Sequence, residues 1–520
     1  MATLSRSLIQ SLVLCGGLAC SLAAPASAAP VVELVYGAGT HYPSSAKSLV
    51  PANPNFPLVG GGRFKSWDVP MFRSPTSNNW IATIGVTTAP ALPAYQDQIL
   101  LVGAGLTGSV IAQESVTTID ATDLYLGLSI AAQSARINDS LDWAMTIRAN
   151  TATGISTAGS NEDRVIKSIG GVISTLAKSN DAAPAISGSA LWGTTGNATP
   201  VFFAAGITNG GAVSFMATNI VDATTTSAGL SVDGTLATWR SGFDVPTGQI
   251  SEPAVTWRDF SNNKFVKSAD GSSWIAQGRL NAPAENDVAV VLNGIVVVQE
   301  GVVLANSSFT SAVSSVADAW MESNGDWYVR GANADGIDWI VRNGSLIAFE
   351  GAPIFPGSSE NWTTFLDMKG NNAGHYVIIG RTNNPDTKRD DVAVVDSKRV
   401  VARESDPVDA NGDGIPDAGG PFLFQFQARG FVNNDLHSYF VARMKTNASD
   451  TTGITGNDAS LFRVNICIAD FNNSGAVTVQ DIFDFLAAWF AANPSADIND
   501  AGGITVQDIF DFLAAWFAGC

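Results

Sequence analysis

Before residue 465, apolar residues fall in short runs of strand length, and no long stretch repeats them at the 3.6-residue spacing of a helix. The clearest runs come in pairs across a turn: "NDVAVVLNGIVVVQEG" from Asn286, "IDWIVRNGSLIAFEG" from Ile337 and "DDVAVVDSKRVVARES" from Asp390. Each has an acidic residue just before its first apolar run and reaches a Glu at the end of its second. Asn293-Gly294 and Asn343-Gly344 are type I′ turn dipeptides between Val/Ile-rich runs, so each stretch predicts a β-hairpin.

Upstream of each hairpin stands another strand opened by an aromatic residue: "WIAQGR" from Trp274, "WYVRGA" from Trp327 and "HYVIIGR" from His375. Fainter copies read "WIATIGV" from Trp80 before "DQILLVGAGLTGSVIAQES", "WAMTIRA" from Trp143 before "DRVIKSIGGVISTLAKS", and "VFFAAGI" from Val201 before "AGLSVDGTLATWRS". A seventh unit runs from "YFVARMKT" at Tyr439 to "DASLFRVN" at Asp458 and lacks its final strand. "PVVELVYGAG" from Pro30 matches that missing strand and has no hairpin of its own. Seven units averaging about 62 residues leave room for four short strands each, within the period of propellers. The pattern predicts a mainly β body over 29–465: a seven-bladed β-propeller closed by the N-terminal strand, with six or eight blades as the neighbouring counts. Such closure leaves no sheet edge open to another chain. Two stacked β-sandwiches are the competing architecture, because unit similarity is faint across 116–270.

The pattern changes over 466–520, where "TVQDIFDFLAAWFA" occurs twice without a difference, at 478–491 and 505–518. On the first copy, Ile482, Leu486 and Trp489 form one helical stripe and Phe483, Ala487 and Phe490 a neighbouring one. One stripe can pack on the other copy, which leaves Phe483, Ala487 and Phe490, with Phe510, Ala514 and Phe517, to face a partner; the alternative is that both stripes are core. A loop precedes each copy. In "DFNNSGAVTVQD", Asp470, Asn472, Ser474, the Ala476 carbonyl, Thr478 and Asp481 occupy loop positions 1, 3, 5, 7, 9 and 12, with Gly475 at 6. This is the ligand spacing of an EF-hand loop for Ca2+, with Asp in place of Glu at 12. A capping box alone accounts for Thr478 and Asp481 but leaves Asp470, Asn472, Ser474 and Gly475 unexplained. The second loop keeps Asp497, Asn499, the Gly503 carbonyl and Asp508 but has Ala501 at position 5, which predicts weaker binding.

No entering helix precedes either loop, so each unit is a loop and one helix repeated at 27 residues. This half-hand duplication resembles the type I dockerin module, and Cys467 with the ending Gly519-Cys520 resembles its GC-type variant in exported bacterial proteins. The resemblance covers 467–520 and implies docking onto a cohesin-like or other exported anchoring protein. A further Ca2+-loop pattern, Asp409, Asn411, Asp413 and Asp417 in "DANGDGIPD", resembles the calcium loops of thrombospondin type 3 repeats; a plain acidic turn is the alternative.

Residues 1–28 read as a signal peptide: one Arg, an apolar run from Leu8 to Leu22, and Ala26-Ser27-Ala28 as the cleavage site. The expected destination is the exterior or the cell surface, with no membrane span in the mature chain. Removal of the signal takes Cys15 and Cys20 with it, leaving Cys467 and Cys520 as the expected disulfide across the ends of the tail. With 28 basic against 47 acidic residues and a net charge of −19, nucleic acid is not an expected partner. Three histidines (His41, His375, His437) show no triad or metal spacing, and "GAGLTG" lies inside a hairpin with no helix behind it. No catalytic residue can be named. The expected function is a non-catalytic exported binding protein with an unknown propeller ligand and a calcium-dependent docking tail; the alternative is a glycoside hydrolase or polysaccharide lyase on the same anchor.

Overall fold

The structure is a computed structural model that describes residues 30–518 apart from 39–45, 58, 120–125, 128–134, 150–161, 184–189, 194–200, 223–224, 249–253, 455–458, 473–476, 494–495, 497 and 499–503. Residues 1–28, the expected signal peptide, and His41 lie outside these residues. Two compact units are present, one spanning Pro30–Cys467 and one beginning at Ile468. No helix among the described residues is long and apolar enough to cross a membrane.

The first unit is mainly β, with a propeller-like arrangement within one blade of the expected seven; its described strands form seven sheets of four or five strands. In chain order their first strands include Met71–Arg73, Arg136–Ile137, Phe202–Ile207, Trp257–Lys267, Val313–Met321, Trp362–Gly370 and Phe422–Val432. First strands of successive sheets touch one another, those of the fifth and sixth through Asp318 and Lys369, which places them around a common axis. Outward from them the sheets pack face to face: Ile81 and Leu100 of the first meet Met145 and Ile166 of the second, and Ile275 and Val290 of the fourth meet Val329 and Trp339 of the fifth. The circle closes where Tyr36, Tyr439 and Leu461 pack against Trp80, Ile84 and Leu101.

The expected hairpins form, and their turns take the left-handed backbone that type I′ geometry demands, with φ of 50° and 85° at Asn293-Gly294 and 51° and 78° at Asn343-Gly344. Asn293 and Asn343 also accept hydrogen bonds from the amides of Trp274 and Trp327 at 2.8 and 2.9 Å, pinning the aromatic strand to its hairpin. The glycine that recurs in those strands has a packing cause. A Cβ on Gly331 would lie 2.2 Å from the Ser315 carbonyl oxygen and 2.6 Å from the Trp339 ring, where a register shift bends the first strand inward. As the unpaired N-terminal run predicted, Val32–Tyr36 completes the last sheet, antiparallel to Ser460–Asn465 with Val32 opposite Val464. One strand differs from the reading. Phe202–Ile207 is a first strand rather than the hairpin's neighbour, and Val213–Asp222 takes that place without an opening aromatic.

In the second unit, helices α1 (Val479–Phe490) and α2 (Val506–Ala518) enclose a small core of Phe471, Phe485, Ala496 and Phe512. The Phe485 and Phe512 rings stack at 4.2 Å with 7° between their planes, and Phe471 sits edge-on to both. The expected packing stripe of Ile482, Leu486 and Trp489 only flanks this core. The helix contact is centred one position away, on Phe485, because the paired copies present their most enclosed ring to each other.

Candidate functional site

At one end of the axis, the turns that follow the first strands are joined into a circle of hydrogen bonds. Asn434 Nδ2 donates to the Thr76 carbonyl at 2.9 Å, and the amides of Thr76 and Ser77 donate to Asp139 Oδ1 at 2.8 and 2.7 Å. Asn209 Nδ2 donates to Asp139 Oδ2 at 2.6 Å, and the Asn209 amide to the Ala269 carbonyl at 2.8 Å. From there the Ala269 amide reaches Ser323 Oγ at 2.9 Å, the Ser323 amide reaches Asn372 Oδ1 at 2.8 Å, and the Asn372 amide returns to Asn434 Oδ1 at 3.0 Å. Every pair of successive sheets is thereby linked. Burial pushes the Asp139 carboxyl up, but the hydrogen bonds from Thr76, Ser77 and Asn209 outweigh it and hold the group below the usual carboxylate range.

Behind this girdle, side chains from sheets that are not neighbours meet across the axis. Phe72 of the first sheet stacks on Trp320 of the fifth at 6.1 Å, and Arg73 pairs with Glu322 between the same two sheets, both side chains buried. Trp320 Nε1 donates to Glu322 Oε1 at 2.8 Å. The Arg136 guanidinium lies over the Phe72 ring, 3.2 Å from its centroid. Farther along the strands, Lys264 and Lys369 converge on Asp318, and Lys369 Nζ also donates to Asp367 Oδ1 at 2.6 Å. Burial raises the Asp318 carboxyl, yet Lys369 and Lys264 beside it prevail and keep it below the ordinary range, so it holds no proton at neutral pH. Asp318, Lys264 and Lys369 each keep a fifth to a third of their side-chain surface exposed.

These axial residues were not legible in the sequence. Met71–Arg73 and Arg136–Ile137 are too short to show a period, and the longer first strands carry register shifts that break alternation. The usable signal is the recurrent polar turn behind them, "NDSLD" from Asn138, "NNAGH" from Asn371 and "NNDLH" from Asn433.

A buried cluster of Asp390, Asp391 and Glu404 has oxygens close enough for one cation. Its members already serve the junction between the sixth and seventh sheets. Asp391 accepts from Arg381 Nε at 2.8 Å and from the Phe426 amide at 2.9 Å, and Glu404 accepts from Lys445 Nζ at 3.4 Å. Burial pushes the Glu404 carboxyl up to about 7 against the pull of Lys445.

Of the expected calcium ligands, Ser474, Ala476, Asp497, Asn499 and Gly503 lie outside the described residues, as does Cys520. Asp470, Asp481 and Asp508 are buried. Asp481 accepts from the Asn472 amide at 3.1 Å, the Thr478 amide at 2.7 Å and Thr478 Oγ1 at 3.1 Å. Asp508 does the same for Ile498 and Thr505. The capping arrangement is thus present at both helices. A carboxylate offers about four lone-pair sites, so the loop's donors leave Asp481 room for one bond to a cation rather than a bidentate grip. Asp470 and Asp481 are buried, Asn472 is half-buried and Thr478 exposed; all four carry side-chain oxygens of the kind a hard cation takes. In "DANGDGIPD" the buried Asp409 accepts from the Gly412 and Gly414 amides at 2.6 and 2.8 Å. Asp417 accepts from Asn411 Nδ2 at 2.6 Å, and Asp413 from the Ile415 amide at 2.9 Å, so each of these side chains braces its own turn.

The tail's two outer stripes are exposed alike: Phe483 61%, Phe490 77%, Phe510 60% and Phe517 76%, with Ala487 and Ala514 also exposed. A reciprocal pair of bonds relates the repeats, Trp489 Nε1 to the Thr505 carbonyl at 2.8 Å and Trp516 Nε1 to the Thr478 carbonyl at 2.7 Å.

No family model and no curated protein matches the chain. Among solved structures, the chain is similar to the Dos1 propeller (TM-score 0.35, 7% identity, covering 78% of this chain and 95% of that one). It is also similar to the polysaccharide lyase Uly1 (TM-score 0.35, 11% identity, 84% and 97% covered) and to prolyl oligopeptidase B from Galerina marginata (TM-score 0.34, 12% identity, 76% and 51% covered).

Proposed function

We propose that the chain is a non-catalytic, exported or surface-associated binding protein in which a seven-bladed propeller takes a ligand at its axial channel and the dockerin-like tail docks onto an anchoring partner. The observation that carries this reading is the pair of exposed apolar stripes on α1 and α2. Large rings at 60–77% exposure in the same positions of two copies are not needed by the small core. Contiguous exposed apolar surface of this kind is characteristic of interaction sites. In this reading Ca2+ in the loops of Asp470 and Asp497 orders the tail, and a disulfide between Cys467 and Cys520 closes it. The partner is a cohesin-like or other exported protein.

The test uses the full oxidised chain passed over an immobilised type I cohesin domain. Binding with Ca2+ that disappears with chelator, and in F483E/F510E, is expected; equal retention of the variant would sink the stripe as the docking face. The alternative reading, a polysaccharide-degrading hydrolase or lyase, draws on Asp318 and Asp367 in the channel. Because the lysines keep Asp318 ionised, it is poorly suited to be the general acid of a hydrolase. Turnover of a polysaccharide panel that is lost in D318N and D367N would decide for this alternative.

A further inference from the structure

Arg136 is a buried cation without a counter-charge. It retains 9% of its surface, and its guanidinium makes one long hydrogen bond, Nη1 to the Ala135 carbonyl at 3.4 Å. Among the described residues no carboxylate pairs with it; Arg73 alongside takes Glu322 for itself. The ring faces of Phe72 and Trp320 supply attraction to the cation but accept no hydrogen bond, and burial with no opposing charge pushes the group down to about 9. Buried charges are costly unless paired, and a guanidinium carries five N–H donors in a planar fork. Such a fork matches a carboxylate through two parallel hydrogen bonds. The imbalance is local. Around the channel stand Arg73, Arg136, Lys264, Arg330 and Lys369 against Asp318, Glu322 and Asp367, in a chain whose net charge is −19.

We propose that Arg136 is an anion subsite of the channel, built to take a carboxylate group of the ligand on the edge of its guanidinium, beside the stacked Phe72 and Trp320 rings. This rests on the reading that the propeller binds its ligand along the axis. The carboxylate can belong to a free small acid or to a uronate unit of a saccharide.

The experiment follows thermal unfolding of the full chain with sodium acetate and with a galacturonate trimer, against sodium chloride at equal ionic strength and a neutral galactose trimer. In the wild type, a saturable rise with the carboxylates and none with the controls is expected. A response to the trimer at much lower concentration than to acetate assigns the saccharide as the source, and equal responses assign the free acid. R136M is expected to unfold no earlier than wild type without ligand, since it removes an uncompensated charge, and to lose the carboxylate response. R136K, which keeps charge but not the fork, is expected to weaken it at least tenfold. Two results overturn the assignment: R136M responding like wild type, or R136M unfolding early while its carboxylate response is unchanged, which makes Arg136 a packing residue. If the neutral trimer binds and K264M abolishes that binding while R136M does not, the channel reading stands and the anion assignment falls. If no probe stabilises the wild type, both fall.

Discussion

The propeller and the tail solve the same problem, a repeated sequence that must hold together, at very different scales. In the propeller each sheet buries aromatic and aliphatic side chains against two neighbours, and a fully buried Phe or Leu contributes about 1.5–3 kcal/mol. Trp80, Trp257, Trp339 and Trp362 are all completely or almost completely enclosed. The tail has three phenylalanines in contact, two stacked and one edge-on, and leaves four others in water. Small units of that kind depend on caps, metals and cross-links in addition to their core. The contrast teaches where function can sit: the propeller spends its apolar residues on closure and keeps polar ones for its axis, whereas the tail holds a large part of its apolar surface outward.

The comparison can be broken most directly at the tail core. Phe512→Ala removes half of the Phe485–Phe512 stack, a loss of about 3–5 kcal/mol, and two-transition calorimetry should show the tail unfolding while the propeller's transition stays in place. A shift of both transitions together would mean that the units are not independently stable. Next in size is the girdle. Asp139→Ala strips charge-assisted hydrogen bonds to Thr76, Ser77 and Asn209, a cost of about 1.5–3 kcal/mol, and should lower the propeller transition alone. Because the Asp139 carboxyl is held below its unfolded value, its contribution is complete above the unfolded pKa and is lost as pH falls through the folded one. Wild type and variant should therefore converge in stability as the pH is lowered below the ordinary carboxylate range, and an undiminished gap would refute the assignment.

A smaller effect is expected from Trp489→Phe, which keeps an aromatic ring but loses the bond to the Thr505 carbonyl, about 0.5–1.5 kcal/mol, confined to the tail transition. Least of all, Phe490→Ser with Phe517→Ser should change stability by no more than about 0.5 kcal/mol per site, since both rings are more than three-quarters exposed. A large loss there would return the outer stripe to the core.

How much of this was legible follows from which residues state their own geometry. Asn293-Gly294 and Asn343-Gly344 announce a turn type, and the lone run Val32–Tyr36 announces a missing partner, so hairpins and closure could be read directly. Val213–Asp222 could not, because its place beside a hairpin is marked by no aromatic, and Phe202 in the preceding strand carries the stronger signal. Arg136 and Phe72 were invisible because their site exists only once nonadjacent sheets meet across the axis. In the tail, identical apolar copies exposed the two stripes but not the contact between them, which the helix crossing centres on Phe485 and Phe512.

The most direct test of the account is Ca2+ titration into the full oxidised chain by calorimetry, with D470A/D497A as the reference and with cohesin retention read on the same samples. The account predicts Ca2+ uptake by the wild type that the double variant lacks, with docking lost alongside it. Identical heats for the two proteins, or docking that persists in the variant, would contradict it.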